Sequence, residues 1–339
     1  MGNVHSIFDL IYPNDNDKLS NLKGNDLKEF LSRLDKYMLE YRKNLSADEK
    51  NSFGLELECN QVTETITNEK LSRLNLQGHW KTATETTLDD GIEICSPILK
   101  DEKRTWEDLY KVCVYMDDRT KNHAKAAAHV HVGAHSLKDN ESITRLVELY
   151  STYENIIFRF GYGEDLKGRE GIDKYSSAVS SDFWNKASAI RRFNLNYNEI
   201  VELLRSSKYR SLNFNNLCRN ENIFKRGNTI EFRCANGTLN PIIWQNLVNL
   251  YLNMVNSCSN LDLDIVYKRH QLVSRYTEFP ELYDEIFLDQ ALEFADLIFK
   301  NNVDKVFFLV QYFKKFDINL KKTKPEPFTR ILTKSHDSL

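Results

Sequence analysis

The sequence predicts an α+β protein in which a sheet is flanked by helices. Short segments alternate apolar and ionisable residues, which is typical of half-buried strands. Longer segments repeat apolar residues every three or four positions, which is typical of amphipathic helices. No internal repeat or low-complexity linker interrupts the chain, and this favours one sheet-containing domain with helical flanks.

The elements follow one another along the chain as short strands and longer helices. The first helix is predicted over Asp26–Arg42, after a polar leader. The predicted strands are Phe53–Cys59, Gly91–Ser96, Ala128–Gly133, Tyr209–Asn215 and Thr229–Cys234. The other predicted helices are Thr105–Tyr115, Ser142–Phe160, Tyr197–Leu204, Pro241–Val255, Leu288–Lys300 and Asp304–Lys315. We therefore divide the chain into a leader with its helix (1–50), a central domain (51–260) and a helical C-terminal extension (261–339).

The composition excludes several classes of protein. The 339 residues carry 46 basic and 49 acidic side chains, so nothing indicates a nucleic-acid partner. No apolar run approaches the roughly 18 residues of a membrane helix, and no secretory signal opens the chain. Six cysteines without a Cys-x-x-Cys pair indicate reduced thiols and a cytoplasmic protein.

The N-terminus fits a lipidation pattern. Gly2 and Ser6 occupy the positions that N-myristoylation requires, although an ordinary polar terminus explains the same residues. One acyl chain would give only weak membrane contact.

Four predicted strands share one design. Successive side chains point to opposite faces, so each strand has an apolar face and an ionisable face. The ionisable faces carry Glu56 and Glu58, then Glu93, then His129 and His131, then Glu231 and Arg233.

Two interpretations account for the ionisable faces, namely solvated outer faces and a metal site. Solvated faces usually mix Lys, Thr, Ser and Gln, whereas these faces concentrate Glu and His. Two divalent cations would neutralise the four glutamates, and Mg²⁺ or Mn²⁺ suits carboxylate ligands with an imidazole. We therefore expect a metal site on these faces that includes Glu56, Glu58, Glu93 and Glu231.

Five motifs in order resemble the amidoligase family, a branch of the glutamine synthetase-like carboxylate–amine ligases. The resemblance spans roughly residues 50 to 256. The motifs lie at Phe53–Glu58, at Gly91–Pro97 (Gly-x-Glu-x-x-Ser-Pro), at His129–Val132 (His-x-His-Val), at Lys208–Asn213 (Arg-Tyr-x-x-Leu-Asn in the family) and at Thr229–Arg233 with Gly237–Asn240.

The resemblance implies a curved antiparallel sheet with the active site on its concave face. It also implies ATP, two divalent cations and an acyl-phosphate intermediate. In that scheme the four glutamates and His129 hold the metals, His131 meets an ATP phosphate, and Arg233 with Glu231 acts on the transferred phosphoryl group. The substrates would be a carboxylate and an amine from an amino acid, a polyamine or a protein lysine. An oligomer is possible, since glutamine synthetases form rings.

The sequence departs from the family at several positions. Lys208 replaces the family's arginine, and Arg210 is a second candidate for that nucleotide-binding role because alternation places it on the same face. Glu85 stands where the family usually has Asp. His135 suggests a zinc hydrolase set with His129 and His131, although a surface histidine is the better interpretation.

The sequence is compatible with three functions. They are an ATP-dependent ligase, a metal-dependent amide hydrolase on the same ligands, and a binding protein that retains the scaffold. The glycine-rich segment Gly161–Gly171 is either a turn or a lid over the substrate.

Overall fold

The structure is a computed structural model that describes residues 18–314, apart from residues 36, 38, 46, 89, 118–124, 138, 219–226 and 273–286. The predicted lipidation site at Gly2 lies outside the described residues. Among the residues described, every helix is too short or too polar to span a lipid bilayer.

Six antiparallel strands form one open sheet, which confirms the predicted α+β class. The strands are β1 (Phe53–Cys59), β2 (Lys81–Glu85), β3 (Gly91–Cys95), β4 (Ala127–Gly133), β5 (Leu212–Asn213) and β6 (Thr229–Asn236). Their order across the sheet is β2-β3-β1-β4-β6-β5. The four strands that carry the predicted ionisable faces, β3, β1, β4 and β6, are therefore direct neighbours.

Eleven α-helices lie within the described residues. They are α1 (Gly24–Leu34), α2 (Glu64–Arg73), α3 (Lys103–Asp117), α4 (Asn140–Gly161), α5 (Ile172–Tyr175), α6 (Ser180–Phe193), α7 (Tyr197–Leu204), α8 (Pro241–Ser257), α9 (Leu263–Leu272), α10 (Leu288–Ile298) and α11 (Asn302–Tyr312). Asn240 caps α8 by accepting from the Ile242 amide, and Pro241 occupies its first position, as the sequence predicts.

The apolar face of the sheet packs against α4 and α8. Phe232 of β6 is fully buried and lies 4.1 Å from the Tyr251 ring of α8 and 6.2 Å from the Tyr150 ring of α4, measured between ring centroids. On β4, Val130 and Val132 are equally buried. Because this face is covered by helices, the ionisable face is the one left for chemistry.

The C-terminal helices complete the apolar core. Phe308 of α11 is buried and stacks on Phe160 of α4 at 5.1 Å, with Phe294 and Phe299 within 6 Å. Buried amide pairs join the same layers, since Asn155 donates to Gln290 and Asn246 donates to Gln311. These contacts attach α10 and α11 to the helices that cover the sheet.

The observed elements differ from the predicted ones at three places. The predicted strand Tyr209–Asn215 is reduced to β5, because the Ser177 amide bonds to the Tyr209 carbonyl and the Ser211 amide bonds to the Ser177 carbonyl. Strand β2 was not predicted, since it is largely exposed and lacks apolar alternation. The first helix ends at Leu34 rather than Arg42.

The aromatic contacts of Phe308 predict a large stability loss for Phe308→Ala. Truncating a buried phenylalanine removes apolar burial and leaves a cavity, and we expect a loss of about 3–5 kcal/mol in the free energy of unfolding. Chemical denaturation of the purified protein measures this loss. Phe193→Ala is the control, since Phe193 is 64% exposed and its loss should be small. Equal effects of the two variants would contradict the described packing.

Candidate metal centre and its two cavities

The strand register brings the predicted ionisable residues together on one face. His129 and His131 lie on β4, between β1 and β6. The cross-strand partners are Glu56 with His129, Glu58 with Glu93, and His131 with Glu231. Residues directly opposite in an antiparallel pair project from the same face, so these side chains converge.

A β-bulge adjusts the geometry beside His129. Ala128 pairs with Ala235 and Val130 pairs with Phe232, so β6 has two residues where β4 has only His129. One of the two is Arg233, whose guanidinium turns back to hydrogen-bond Glu231 through Nη1. Bulges of this kind re-aim side chains, and here the bulge places an arginine beside a carboxylate on the same strand.

The imidazole of His129 lies at the centre of the carboxylates. Its Nδ1 lies 3.1 Å from Glu56 Oε2 and 3.8 Å from Glu231 Oε1, while Nε2 lies 3.6 Å from Glu58 Oε1. The side chain is 2% exposed, and Nε2 is buried without a hydrogen-bond partner among the described residues. When Nδ1 donates to Glu56, Nε2 presents its lone pair toward Glu58, an arrangement that a cation would stabilise.

The side chains form two groups with the chemistry of divalent-cation ligands. In each group the ligand atoms lie within 4.8 Å of one another: Glu56, His129 and Glu231 in the first, and Glu58, Glu93 and His129 in the second. A neutral imidazole has one free lone pair, so His129 serves only one of the two groups at a time. These residues fit two hard cations, because carboxylate oxygens dominate both groups.

The burial of two glutamates argues against the interpretation that these faces are solvated. Glu58 is 7% exposed and Glu231 is 5% exposed, so bulk water solvates neither carboxylate fully. Glu58 accepts from the Ala127 amide at 2.7 Å, and Glu231 accepts from Asn213 Nδ2 at 2.7 Å. The described hydrogen bonds therefore hold both carboxylates in place, and Arg233 forms an ion pair with Glu231.

The pKa shifts report the same crowding of negative charge. Burial raises the pKa of Glu93, and the charges of Glu56 and Glu58 raise it further. Burial also raises the pKa of Glu56, but hydrogen bonds from His129 and His131 outweigh burial and leave that pKa lowered. For His131 burial lowers the pKa, whereas the hydrogen bond to Glu56 raises it by more. Glu93, which accepts no hydrogen bond from an imidazole among the described residues, is thus the carboxylate of the pair whose pKa is raised rather than lowered.

Two cavities open on either side of this cluster. The first, which we call the larger cavity, has a volume of about 980 Å³ and is lined by Glu56, His131, Gly54, Phe53, Pro97 and Ile98 among others. The second, which we call the cationic cavity, has a volume of about 510 Å³ and is lined by Glu58, His129, Arg169, Lys174, Lys208 and Arg233 among others. Each volume suits a small molecule.

The residues that the sequence predicts to bind the nucleotide do not line the same cavity. His131 lines the larger cavity, whereas Lys208 and Arg233 line the cationic cavity. Arg210 lines neither cavity. It donates to the Ala178 carbonyl and lies 3.7 Å from Asp182.

Two further residues from the sequence analysis lie near the site. Glu85 lines the cationic cavity, where it accepts hydrogen bonds from the amide and hydroxyl of Thr87. His135 lines the larger cavity and donates through Nε2 to the Lys50 carbonyl. His135 belongs to no group of possible metal ligands within the part of the chain that the structure describes.

One buried cation was missed from the sequence. Arg169 lies in the glycine-rich segment and is 6% exposed, with Nη1 donating to the Ala235 carbonyl and Nη2 to the Arg233 carbonyl. Burial lowers its pKa to about 10. The segment mixes charges of both signs, and no sequence signal distinguishes Arg169 from its neighbours. Arg169, Glu170 and Gly171 form part of the wall of the cationic cavity.

A second missed side chain is Cys95. It lies opposite Glu56 across β1 and β3, and its thiol donates to Glu93 at 2.8 Å. Alternation along β3 places Cys95 on the same face as Glu93, so the position is readable from the sequence. With Glu56 and Glu93 it forms a third group of possible ligands.

An open antiparallel sheet with paired carboxylate and imidazole groups between two cavities defines a class of α+β protein with a candidate two-metal centre. Residues 18–255 match the family described as "putative amidoligase enzyme". The chain belongs to this family, as the five sequence motifs predicted, and the match supports an amide-forming ligase with carboxylate and amine substrates. Comparison with curated proteins gives no match.

Divalent cations are expected to stabilise the folded protein. Mg²⁺ or Mn²⁺ that binds only the folded state raises the midpoint of thermal unfolding. We expect this rise to be lost in Glu58→Gln and Glu231→Gln, because each variant removes a carboxylate charge from a different ligand group. Glu107→Gln on α3 is the control, because the ion pair that Glu107 forms among the described residues is with exposed Lys103. A rise that persists in both site variants would place the cations elsewhere.

Proposed function

We propose that the protein is an ATP-dependent carboxylate–amine ligase that uses Mg²⁺ or Mn²⁺ and forms an amide or isopeptide bond. One observation carries the proposal, namely the two ligand groups that share His129 and lie between a larger cavity and a cationic cavity. The family match supports the reaction class. A ligase of this kind brings a nucleotide, an acid and an amine to one centre of charge stabilisation, and the two cavities would take the nucleotide and the acid.

The metal ligands would be the five side chains predicted from the sequence. Glu56 and Glu231 would hold one cation, and Glu58 and Glu93 would hold the other, with His129 completing one of the two. Bound cations would neutralise phosphate charge during phosphoryl transfer. The hydrogen bonds from Asn213 to Glu231 and from Ala127 to Glu58 would orient the ligating carboxylates.

The larger cavity suits the nucleotide. Phe53, Pro97 and Ile98 offer apolar surface for a purine, and His131 and Glu56 lie at the metal end. Gly54 also lines this cavity. A Cβ built on Gly54 would meet nothing closer than the His131 Cβ at 3.7 Å, so the strand does not require glycine there. The missing side chain instead leaves space for a ligand.

The cationic cavity suits the acid. A carboxylate is a poor electrophile, so it first has to be activated. An oxygen of the acid attacks the γ-phosphorus, the bond from that phosphorus to ADP breaks, and an acyl phosphate forms. The amine then attacks the acyl carbon, phosphate leaves with the C–O bond electrons, and the amine loses a proton. Arg233 lines this cavity beside Glu231, where its charge would stabilise the transferred phosphoryl group.

Calorimetric titration of ATP tests the proposal directly. We expect ATP to bind only with Mg²⁺ or Mn²⁺, and we expect Glu231→Ala to abolish that binding because it removes a ligand of one cation. Tight zinc binding without nucleotide binding would favour a metal-dependent amide hydrolase. Neither signal would favour a binding protein that retains the scaffold.

Gly54→Leu tests which cavity holds the nucleotide. A leucine would fill the floor of the larger cavity, so we expect the dissociation constant of MgATP to rise at least tenfold. Calorimetry measures the change, and stabilisation by Mn²⁺ alone should persist. Gly54→Ala adds only one methyl group and is the matched control. Unchanged ATP affinity in Gly54→Leu would remove the nucleotide from this cavity.

A further inference from the structure

The cationic cavity holds more positive than negative charge. Its walls carry five basic side chains and three acidic ones. They are Lys125, Arg169, Lys174, Lys208 and Arg233 against Glu58, Glu85 and Glu170. A cavity lined by one sign of charge concentrates ligands of the opposite sign.

Two of the three acidic residues of this cavity, Glu58 and Glu85, make their described contacts with other groups. Glu58 lies in a candidate metal-ligand group with His129 and accepts from the Ala127 amide. Glu85 accepts from its own loop, through the amide of Thr87 at 2.9 Å and its hydroxyl at 2.7 Å. Neither carboxylate contacts a basic side chain of the cavity within the described residues, so the excess positive charge faces the cavity.

Three of the basic side chains have no carboxylate partner. Among the residues that the structure describes, no ion pair within 4.0 Å forms at Arg169, Lys174 or Lys208. The two lysines instead lie over aromatic rings, Lys174 Nζ at 4.7 Å from the Tyr175 centroid and Lys208 Nζ at 5.1 Å from the Tyr209 centroid. Both lysines line the cavity, so their charges are available to an anionic ligand there.

The cations lie at two depths. Arg169 is buried and bonds to the carbonyls of Arg233 and Ala235, on the strand that carries Glu231. Lys174 and Lys208 are exposed. The tyrosine rings beneath the two lysines contact each other, since Tyr175 and Tyr209 meet edge to face with their centroids 5.6 Å apart. The Ser177 amide also donates to the Tyr209 carbonyl. The cavity therefore has an inner, buried cation and an outer pair of exposed cations.

We propose that the acid substrate carries a second anionic group, bound by Lys174 and Lys208 at the outer end of the cationic cavity while the reacting carboxylate faces Arg233 and Arg169. This inference rests on the proposed ligase function and specifies its acid as a dicarboxylate or a larger polyanion. Lys174 and Lys208 then determine which acid is accepted.

Calorimetry with matched acids tests the inference. The probes are straight-chain diacids of four to six carbons, each compared with the monocarboxylic acid of the same length, in the presence of Mg²⁺. We expect at least one diacid to bind at least tenfold more tightly than its matched monoacid. We expect the preference to disappear in the double variant Lys174→Gln/Lys208→Gln and to weaken with added salt.

Control measurements separate this inference from the proposed function. Lys111→Gln on α3 is the matched control, because Lys111 pairs with Asp108 and lines neither cavity. MgATP is titrated into the same samples. If MgATP does not bind the wild type, the ligase proposal is overturned. If MgATP binds the double variant with the same affinity as the wild type, the ligase proposal stands.

Three results would overturn the inference itself. Equal affinity for diacids and monoacids would show that no second anionic group is recognised. No detectable binding of either kind of acid would show that the cavity takes no acid of this kind. A loss of MgATP affinity in the double variant, with acid binding unchanged, would mean that the lysines hold the triphosphate instead.

Discussion

The structure depends on one electrostatic constraint, which is that four glutamates converge on one face of the sheet around a buried imidazole. Like charges this close destabilise a folded protein unless protons, hydrogen bonds or cations compensate them. The described hydrogen bonds compensate part of the charge: His129 and His131 bond to Glu56, and Asn213 bonds to Glu231. Burial and the charges of Glu56 and Glu58 raise the pKa of Glu93. Arg233 adds an ion pair to Glu231, and we propose that divalent cations supply the rest of the positive charge.

The helical layers make this constraint possible. By covering the apolar face, α4 and α8 free the other face for chemistry, and α10 and α11 complete the core around Phe308. The bulge in β6 brings Arg233 beside Glu231. The glycine-rich segment then adds Arg169 to the wall of the cationic cavity. The sheet thus contributes the carboxylates, the bulge contributes Arg233, and the glycine-rich segment contributes Arg169.

Strand alternation predicted which residues share a face, and this explains why the candidate ligands could be identified from the sequence. Alternation is a local property, so Glu56 and Glu58 on β1 were assigned correctly to one side. Arg210 was placed with Lys208 by the same rule, but regular strand structure begins only at Leu212, so the rule did not apply there. Register and loop packing are tertiary properties. The sequence therefore did not predict that His129 lies opposite Glu56 or that Arg169 is buried.

Anomalous X-ray diffraction from crystals grown with Mn²⁺ and an ATP analogue locates bound cations. We expect two manganese peaks in each chain, one beside Glu56 and Glu231 and the other beside Glu58 and Glu93. Absence of manganese from this face, or manganese bound only at acidic surface residues elsewhere, would show that these glutamates do not form a two-metal centre.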